Sequence, residues 1–360
     1  ETIQGHINQP TMQMAVEQHL KRLGIRAYLD AGLVKNSIRV EYEWPESPMV
    51  SIVIPTKDKI EFLRPCVDAL LQKTTYSNFE LIIVDNQSED PDIQDYFDVL
   101  SQHYGDQIKI LRYPYSFNYA AISNLAAQSA KGEYLLFLNN DTEVLHAEWL
   151  ERMVRHAQRP EVGIVGARLV FPETRLVQHA GVILGMDSIA DHLFLGVLDI
   201  QESGYMDRAH LDQNFSAVTG ACLMIRKSIY DDVGGMNAEN LAVSYNDIDL
   251  CLAVRQKGYL VTWTPYSVLV HHGSVSQLSE VNLRAEQKSQ RFQAEREFML
   301  KKWLPQIAND PFYNRNLSLT SREMQIEAQM PANWDTNFHN RKRLLGLPLS
   351  GGSGDYRVIQ

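Results

Sequence analysis

Hydrophobic and polar positions change rhythm twice along the chain. Met12–Leu23 carries apolar residues at helical spacing, and Trp44-Pro45-Glu46-Ser47-Pro48 is a stiff linker that cannot continue a helix. Together they predict a helical preface and linker over residues 1–48. Short apolar runs then alternate with amphipathic stretches. Val50–Pro55, Phe79–Asp85, Gln107–Arg112 and Glu133–Leu138 read as strands, and Ile60–Gln72, Asp92–His103 and Asn118–Lys131 as helices. Continuous apolar runs mark strands buried on both faces. The pattern therefore predicts an α/β fold with a mostly parallel central sheet flanked by helices.

Beyond residue 145 the pattern is more mixed. Val162–Val170 and Ala217–Arg226 read as strands, separated by a stretch containing Gln178–Gly185 and His192. Asp247–Lys257 reads as a short helix, Tyr259–Thr264 and Ser267–Val270 as apolar runs, and Glu280–Trp303 as a long helix with a charged outer face. Past Asp310 the chain turns polar; Gly351-Gly352-Ser353-Gly354 reads as a flexible linker and Asp355–Gln360 as strand-like. The expected organisation is a core domain over 49–275, with halves 49–145 and 146–275, then a helical extension over 276–345. Residues 346–360 would be a linker and the start of a further domain.

Composition narrows the class. The 360 residues are 44% hydrophobic and 22% charged, ample for a sizeable core. Acidic residues outnumber basic ones, 44 to 34, which argues against non-specific binding to nucleic acid. The longest apolar runs, such as Tyr134–Leu138 and Ala221–Ile225, fall far short of the ~20 residues a membrane span needs. Glu1–Pro10 has no basic start followed by an apolar stretch, so no secretory signal is expected. Cys66, Cys222 and Cys251 are widely spaced and form no CxxC, which fits a reducing compartment. The expectation is a soluble cytoplasmic enzyme.

Polar residues cluster just after the strands, where open parallel sheets bind ligands. Asn139-Asn140-Asp141 follows Phe137-Leu138 and offers hard oxygen ligands suited to Mg²⁺ or Mn²⁺ carrying a diphosphate; an Asx turn closing the strand is the plainer reading. Asp85 ends the second strand near Pro55, Thr56 and Asp58 of the first. A carboxylate there can take a ribose hydroxyl or base N–H, although capping of the next helix accounts for it equally. Asp247 and Asp249 stand two apart at a helix start, as caps or with one as general base. His271 and His272 follow an apolar run and point opposite ways, so one of them can enter a site. His179, His192 and Trp263 are candidates to line an acceptor groove, with core roles as the alternative. Neither GxGxxG nor GxxxxGK[ST] occurs, which disfavours nicotinamide dehydrogenases and P-loop enzymes.

In joint order and spacing these segments resemble the family 2 inverting glycosyltransferases of the GT-A fold, a Rossmann-like architecture. The likeness is greatest to the bacterial branch of O-antigen and rhamnan biosynthesis. It rests on Val50–Asp58, Leu81–Asn86, Phe117-Asn118-Tyr119, Leu136–Val144, Gln178-His179-Ala180-Gly181, Ala217–Leu223, Asn246–Leu252, Val270–Ser276 and Asp310-Pro311-Phe312-Tyr313-Asn314. It covers about residues 48–320.

The resemblance implies a metal-dependent sugar transfer from a nucleoside-diphosphate donor, dTDP-rhamnose first and a UDP-sugar next, to a glycan or lipid-linked glycan. That would place the enzyme at the inner face of the cytoplasmic membrane. Asp85 would meet the nucleoside, with Pro55, Thr56, Asp58 and Asn118 shaping the donor pocket. Asn139, Asn140 and Asp141 would stand at the DxD position, with Asp141 on the Mn²⁺ or Mg²⁺. His271, or His272 in the other register, would be a further metal ligand. Asp247 would be the base, and Asp249, His179 and Trp263 would face the acceptor. The branch usually has Glu at 273, Arg at 277 and Arg at 253, where this chain has Gly273, Gln277 and Ala253. Competing classes are a sugar-phosphate nucleotidylyltransferase, disfavoured because no Gly-rich loop follows Ile54, and a non-catalytic nucleotide-sugar or glycan-binding module.

Overall fold

The computed structural model describes residues 9–273 and 285–327 and two short strands at 345–348 and 356–359. The predicted preface is only partly helical. Helix α1 (Gln9–Arg22) is followed by an antiparallel hairpin of β1 (Ala27–Ala31) and β2 (Ile38–Tyr42). Alternation in Ile38-Arg39-Val40-Glu41-Tyr42 is the period-two signal that the helical reading passed over. The hairpin is fastened to α5 (Trp149–Ala157), because Arg152 pairs with Glu41, Arg155 donates to the Tyr42 carbonyl and the Trp44 indole donates to the Arg155 carbonyl.

The N-terminal half of the core domain follows the predicted alternation. Strands β3 (Val50–Thr56), β4 (Phe79–Asp85), β5 (Ile108–Arg112) and β6 (Tyr134–Leu138) are joined by α2 (Ile60–Lys73), α3 (Pro91–Tyr104) and α4 (Tyr119–Ser129). They lie parallel in the order β6-β3-β4-β5. Successive side chains go to opposite faces, as the pleat requires. Ile52 and Ile54 pack with Leu63, Val67, Leu70 and Trp149 on one side, whereas Val53 packs with Ala120, Ile122 and Ala126 on the other. Both faces of these strands are packed with apolar side chains, so the candidate polar residues Thr56, Asp85 and Asp141 stand at the carboxyl ends of the strands or just beyond them.

The second half is mixed. After β7 (Thr142–Val144) and α5 come β8 (Val162–Val170), β9 (Val177–His179), the antiparallel pair β10 (Val182–Leu184) and β11 (Ala190–His192), β12 (Gln213–Phe215) and β13 (Cys222–Arg226). Strand β13 runs antiparallel to both β6 and β8, and thereby joins the two halves into one ten-stranded sheet. The predicted strand over Ala217–Arg226 is thus shorter, and residues 217–221 form a loop at the sheet's end. Helices α6 (Lys227–Asp232) and α7 (Asn246–Gln256) follow.

The two apolar runs around Pro265 are a single strand, β14 (Leu260–His271), whose register against β8 slips between Thr264 and Val268. Proline has no N–H for the ladder, and the irregularity accommodates it. Trp263 lies in this strand with no exposed surface and donates its indole N–H to the Ala167 carbonyl at 3.1 Å. It is a core residue and lines no groove.

The long helix is α8 (Ala285–Ile307); the start predicted for it at 280–284, Gln277 and the glycine linker at 351–354 lie outside the described residues. Strands β15 (Leu345–Pro348) and β16 (Tyr356–Ile359) pair antiparallel. No described helix is long and apolar enough to cross a membrane.

Candidate functional site

The carboxyl ends of β3, β4 and β6 bring together the residues singled out in the N-terminal half. Thr56 is buried, and its hydroxyl accepts from Asn140 Nδ2 at 3.0 Å. The Asn86 amide donates to the Thr56 carbonyl at 2.8 Å, and its side chain donates to the carbonyls of Tyr113 and Tyr115. These contacts hold the loop after β5 over the end of β4. Asp85 is also buried; one oxygen accepts the Ser88 N–H at 3.1 Å and the other pairs with the Arg112 guanidinium. Arg112 stands beside Asp85 in the parallel ladder, so opposite charges at neighbouring strand ends were the available signal for this partner.

Two residues expected in the donor pocket also tie local segments together. Asp58 Oδ1 accepts the N–H groups of Glu89 and Asp90 at 2.8 and 3.1 Å, and its own N–H donates to Ser88. This staples the loop after β3 to the loop after β4. Asn118 caps α4 by accepting from the Ala121 N–H at 2.9 Å, and its Nδ2 donates to the Ala238 carbonyl. A cap of this kind is worth about 1 kcal/mol. Pro55 is a half-buried member of β3.

Asn139-Asn140-Asp141 turns out of β6 above a buried thiol. Cys66 Sγ sits 3.7 Å from the Asn139 carbonyl, and burial pushes its pKa up to about 12, so it stays a thiol. The last residue of β14 meets this turn: His271 Nε2 lies 3.2 Å from Asp141 Oδ1 and 3.2 Å from Asn139 Nδ2. His272 points the other way, to Glu143 at 2.9 Å, with its ring against Phe62. The alternation of the strand thus separates the two histidines, and His271 is the one facing Asp141.

Gln178 selects the ring nitrogen by which His271 donates. Its Nε2 donates to the His271 carbonyl at 3.2 Å, which leaves its Oε1 against the ring Nδ1. An amide oxygen only accepts, so Nδ1–H is the donor to Gln178, and in that neutral tautomer Nε2 is the acceptor atom, within reach of the Asn139 amide and facing the Asp141 carboxylate. One oxygen and one nitrogen acceptor held this close fit a divalent cation, and an outer acceptor on the other ring N–H, here the Gln178 amide oxygen, orients the imidazole. No group of three or more candidate His, Cys, Asp or Glu ligands occurs among the described residues.

Gly273 belongs to the same arrangement. Its φ is +70°, and a Cβ there would come within 2.8 Å of Gln178 Nε2. The glutamate usual at this position in the branch would therefore displace the amide that orients His271.

On the other side of the sheet's end, half-buried Asp247 begins α7. Its Oδ2 accepts the Gly220 N–H at 2.8 Å and its Oδ1 the Ile248 N–H at 2.8 Å. Gly220 is held by the Tyr119 hydroxyl, which donates to its carbonyl at 3.1 Å. Burial, with Asp247 adding to it, pushes the Tyr119 phenol far up, so it remains a donor.

Behind Asp247 lie two imidazoles, His179 and His192, in edge-to-face contact at 4.8 Å. His179 has no exposed surface and accepts from the Thr219 N–H at 3.4 Å. Burial first, then His192 and His271, lower its pKa well below the usual value, so the ring is neutral. It supports the 217–221 loop from beneath and presents no surface to an acceptor. His192 Nδ1 donates to the Gln178 carbonyl at 3.1 Å, and burial lowers its pKa as well.

Asp249 departs from the expected acceptor role. It is buried, and its Oδ1 accepts from Lys302 Nζ at 2.7 Å and from the Trp303 indole at 2.6 Å. Where the branch has arginine at 253, the guanidinium of Arg255 donates to Ser216 Oγ at 2.9 Å and lies over the Phe312 ring. Asp310 accepts from the same hydroxyl at 2.6 Å. The motif at 310–314 thus anchors the chain after α8 back to β12 and α7.

Comparison with known proteins agrees with this architecture. A family model described as "Glycosyl transferase family 2" matches residues 51–234. The chain is 40% identical over 315 residues to the uncharacterized protein y4gI of Sinorhizobium fredii, covering 87% of this chain and 34% of that one. It is 37% identical over 317 residues to the O-antigen biosynthesis protein RfbC of Myxococcus xanthus, covering 86% of this chain and 23% of that one. The chain therefore spans about a third of the first of these relatives and about a quarter of the second.

Among solved structures, it resembles the mannosyltransferase PcManGT of Pyrobaculum calidifontis, in complex with GDP-Man and Mn²⁺. That match has a TM-score of 0.50 and 15% identity, covering 82% of this chain and 73% of the other. A structure of GalNAc-T7 with UDP, GalNAc and Mn²⁺ gives a TM-score of 0.55 and 13% identity, covering 85% and 68%. These likenesses show the GT-A fold. With a family model matching half its length on this fold, the chain belongs to glycosyl transferase family 2.

Proposed function

We propose that the protein transfers a sugar, with inversion, from a nucleoside-diphosphate donor to a hydroxyl of a growing surface glycan. The observation that carries this reading is the facing pair Asp141 and His271, set at the strand ends opposite Asp247. Asp141 and His271 would hold Mn²⁺ or Mg²⁺, and that metal, when bound, neutralises negative charge on the departing diphosphate. Asp85 and Thr56 would lie along the nucleoside, with Arg112 holding the Asp85 carboxylate in place.

Asp247 is the base. Two backbone N–H groups hold its carboxylate, which is only half-buried and so open to an acceptor hydroxyl. It would take the proton of the acceptor hydroxyl as that oxygen attacks the anomeric carbon on the face opposite the nucleotide. Charge at the sugar resembles that of an oxocarbenium ion, so the neutral rings of His179 and His192 add no competing positive charge nearby. No nucleophilic side chain is needed.

A dTDP-rhamnose donor is favoured and a UDP-sugar next, on the sequence likeness to the rhamnan branch. The relative named for O-antigen biosynthesis supports a glycan or lipid-linked glycan acceptor, reached from the cytoplasmic face of the membrane. The test is nucleotide release from dTDP-, UDP- and GDP-sugars with a rhamnose-containing acceptor, followed by NMR of the new linkage. Release from dTDP-rhamnose and an inverted anomeric centre support the reading; a retained configuration refutes it.

A further inference from the structure

The loop that leads into Asp247 is held from outside the sheet. Two of its successive amides, Val243 and Ser244, donate to the two carboxylate oxygens of Glu295 on α8, at 2.9 and 3.2 Å. Glu295 is almost completely buried. Next in the chain, Tyr245 adopts a left-handed conformation at φ 61°, ψ 6°, which costs a side-chain-bearing residue about 1 kcal/mol. Its ring lies against Phe292 of α8 at 5.6 Å, and its carbonyl accepts the Asp249 N–H. Asp249 is gripped in turn by Lys302 and Trp303.

The contacts of α8 with this segment fall at 292, 295, 302 and 303, with the fully buried Met299 between them. That is one stripe along a single helix face. A carboxylate suits the central position. It accepts without donating, and each buried amide left without a partner costs roughly 1–3 kcal/mol. The negative charge also stands near the positive end of α7.

From this we infer that Glu295 is a positioning residue for Asp247: it closes the 243–244 amides, fixes the left-handed turn at Tyr245 and so aims the carboxylate two residues on. Helix α8 is then part of the catalytic apparatus. The inference rests on the reading of Asp247 as base.

It is tested in the full chain with Glu295→Gln, which keeps size but points an amide donor at a backbone donor. The expected result is a fall in kcat of about tenfold or more, since small misplacement of a reacting group is costly. Donor-nucleotide Kd and Tm should stay at wild-type values, and amides 243–247 should exchange faster while those of the parallel strands do not. A kcat within twofold of wild type, or a loss matched by falls in Tm and donor affinity, overturns it. If Glu295→Gln does not fold, Phe292→Leu on the half-exposed side of the same stripe replaces it. A severalfold fall in kcat at unchanged donor Kd supports the inference, and unchanged kcat overturns it. Asp247→Asn is measured alongside. Full turnover in that variant refutes the base, whereas the exchange of the Val243 and Ser244 amides still reports whether Glu295 orders the loop.

Discussion

His271 Nε2 faces Asp141 Oδ1 at 3.2 Å from a strand that ends 130 residues further along the chain. The imidazole is held there by Gln178, whose amide engages both the ring and the carbonyl of the same residue. Metal affinity should therefore depend on a residue that does not touch the metal. Gln178→Leu is expected to raise the Mn²⁺ concentration needed for half-maximal nucleotide release by about 10–100-fold, with a lower Tm from the buried groups of His271 left unpaired. Mn²⁺ titration of activity, with metal binding measured directly by calorimetry, checks this.

Asp247→Asn should remove the base, and its amide oxygen can keep one of the two backbone N–H contacts of the carboxylate. Loss of a general base costs about 10²–10⁴ in kcat, and donor binding should survive because Asp247 is held by Gly220 and Ile248 on the far side of the sheet end from Asp85. Single-turnover transfer and nucleotide binding, measured on the same preparation, separate the two effects.

Gly220 gives a subtler version of the same test. A Cβ there would lie 3.3 Å from Asp247 Cβ and 3.5 Å from the Tyr119 hydroxyl. Gly220→Ala should shift Asp247 and lower kcat by about tenfold, with a smaller effect on the KM for donor. Steady-state kinetics at varied donor and acceptor would show the split.

The pH dependence of stability follows from His179. Its folded pKa is depressed by burial and by the neighbouring imidazoles, so the unfolded chain binds its proton more readily. Its contribution is fully present above the unfolded value of about 6.5 and is lost as pH falls below it. The Tm should drop between pH 7.5 and 5.5, and His179→Gln should flatten that slope. Calorimetric scans across the range give the comparison.

Much of the N-terminal half was legible because its strands are continuous apolar runs and its polar residues can only gather at their ends. Asp85 and Asn139-Asn140-Asp141 stood out for that reason. The hairpin over 27–42 escaped notice because two five-residue strands carry a short alternation beside a strong helical signal. Trp263 and Asp249 are placed by tertiary packing that local pattern does not encode. A large aromatic and a second carboxylate near a site can each be drawn into packing, one by the Ala167 carbonyl and the other by Trp303. Gln178, Arg112 and Glu295 act through contacts between distant segments, and local pattern does not reveal such partners.

Metal-dependent release of nucleotide from a sugar donor tests the central claim most directly. Wild-type protein should release dTDP or UDP in the presence of acceptor with Mn²⁺ and fall silent in EDTA, and both Asp141→Ala and His271→Ala should lose most of that release. Full release in EDTA, or unchanged Mn²⁺ dependence in both variants, would contradict a metal held between Asp141 and His271.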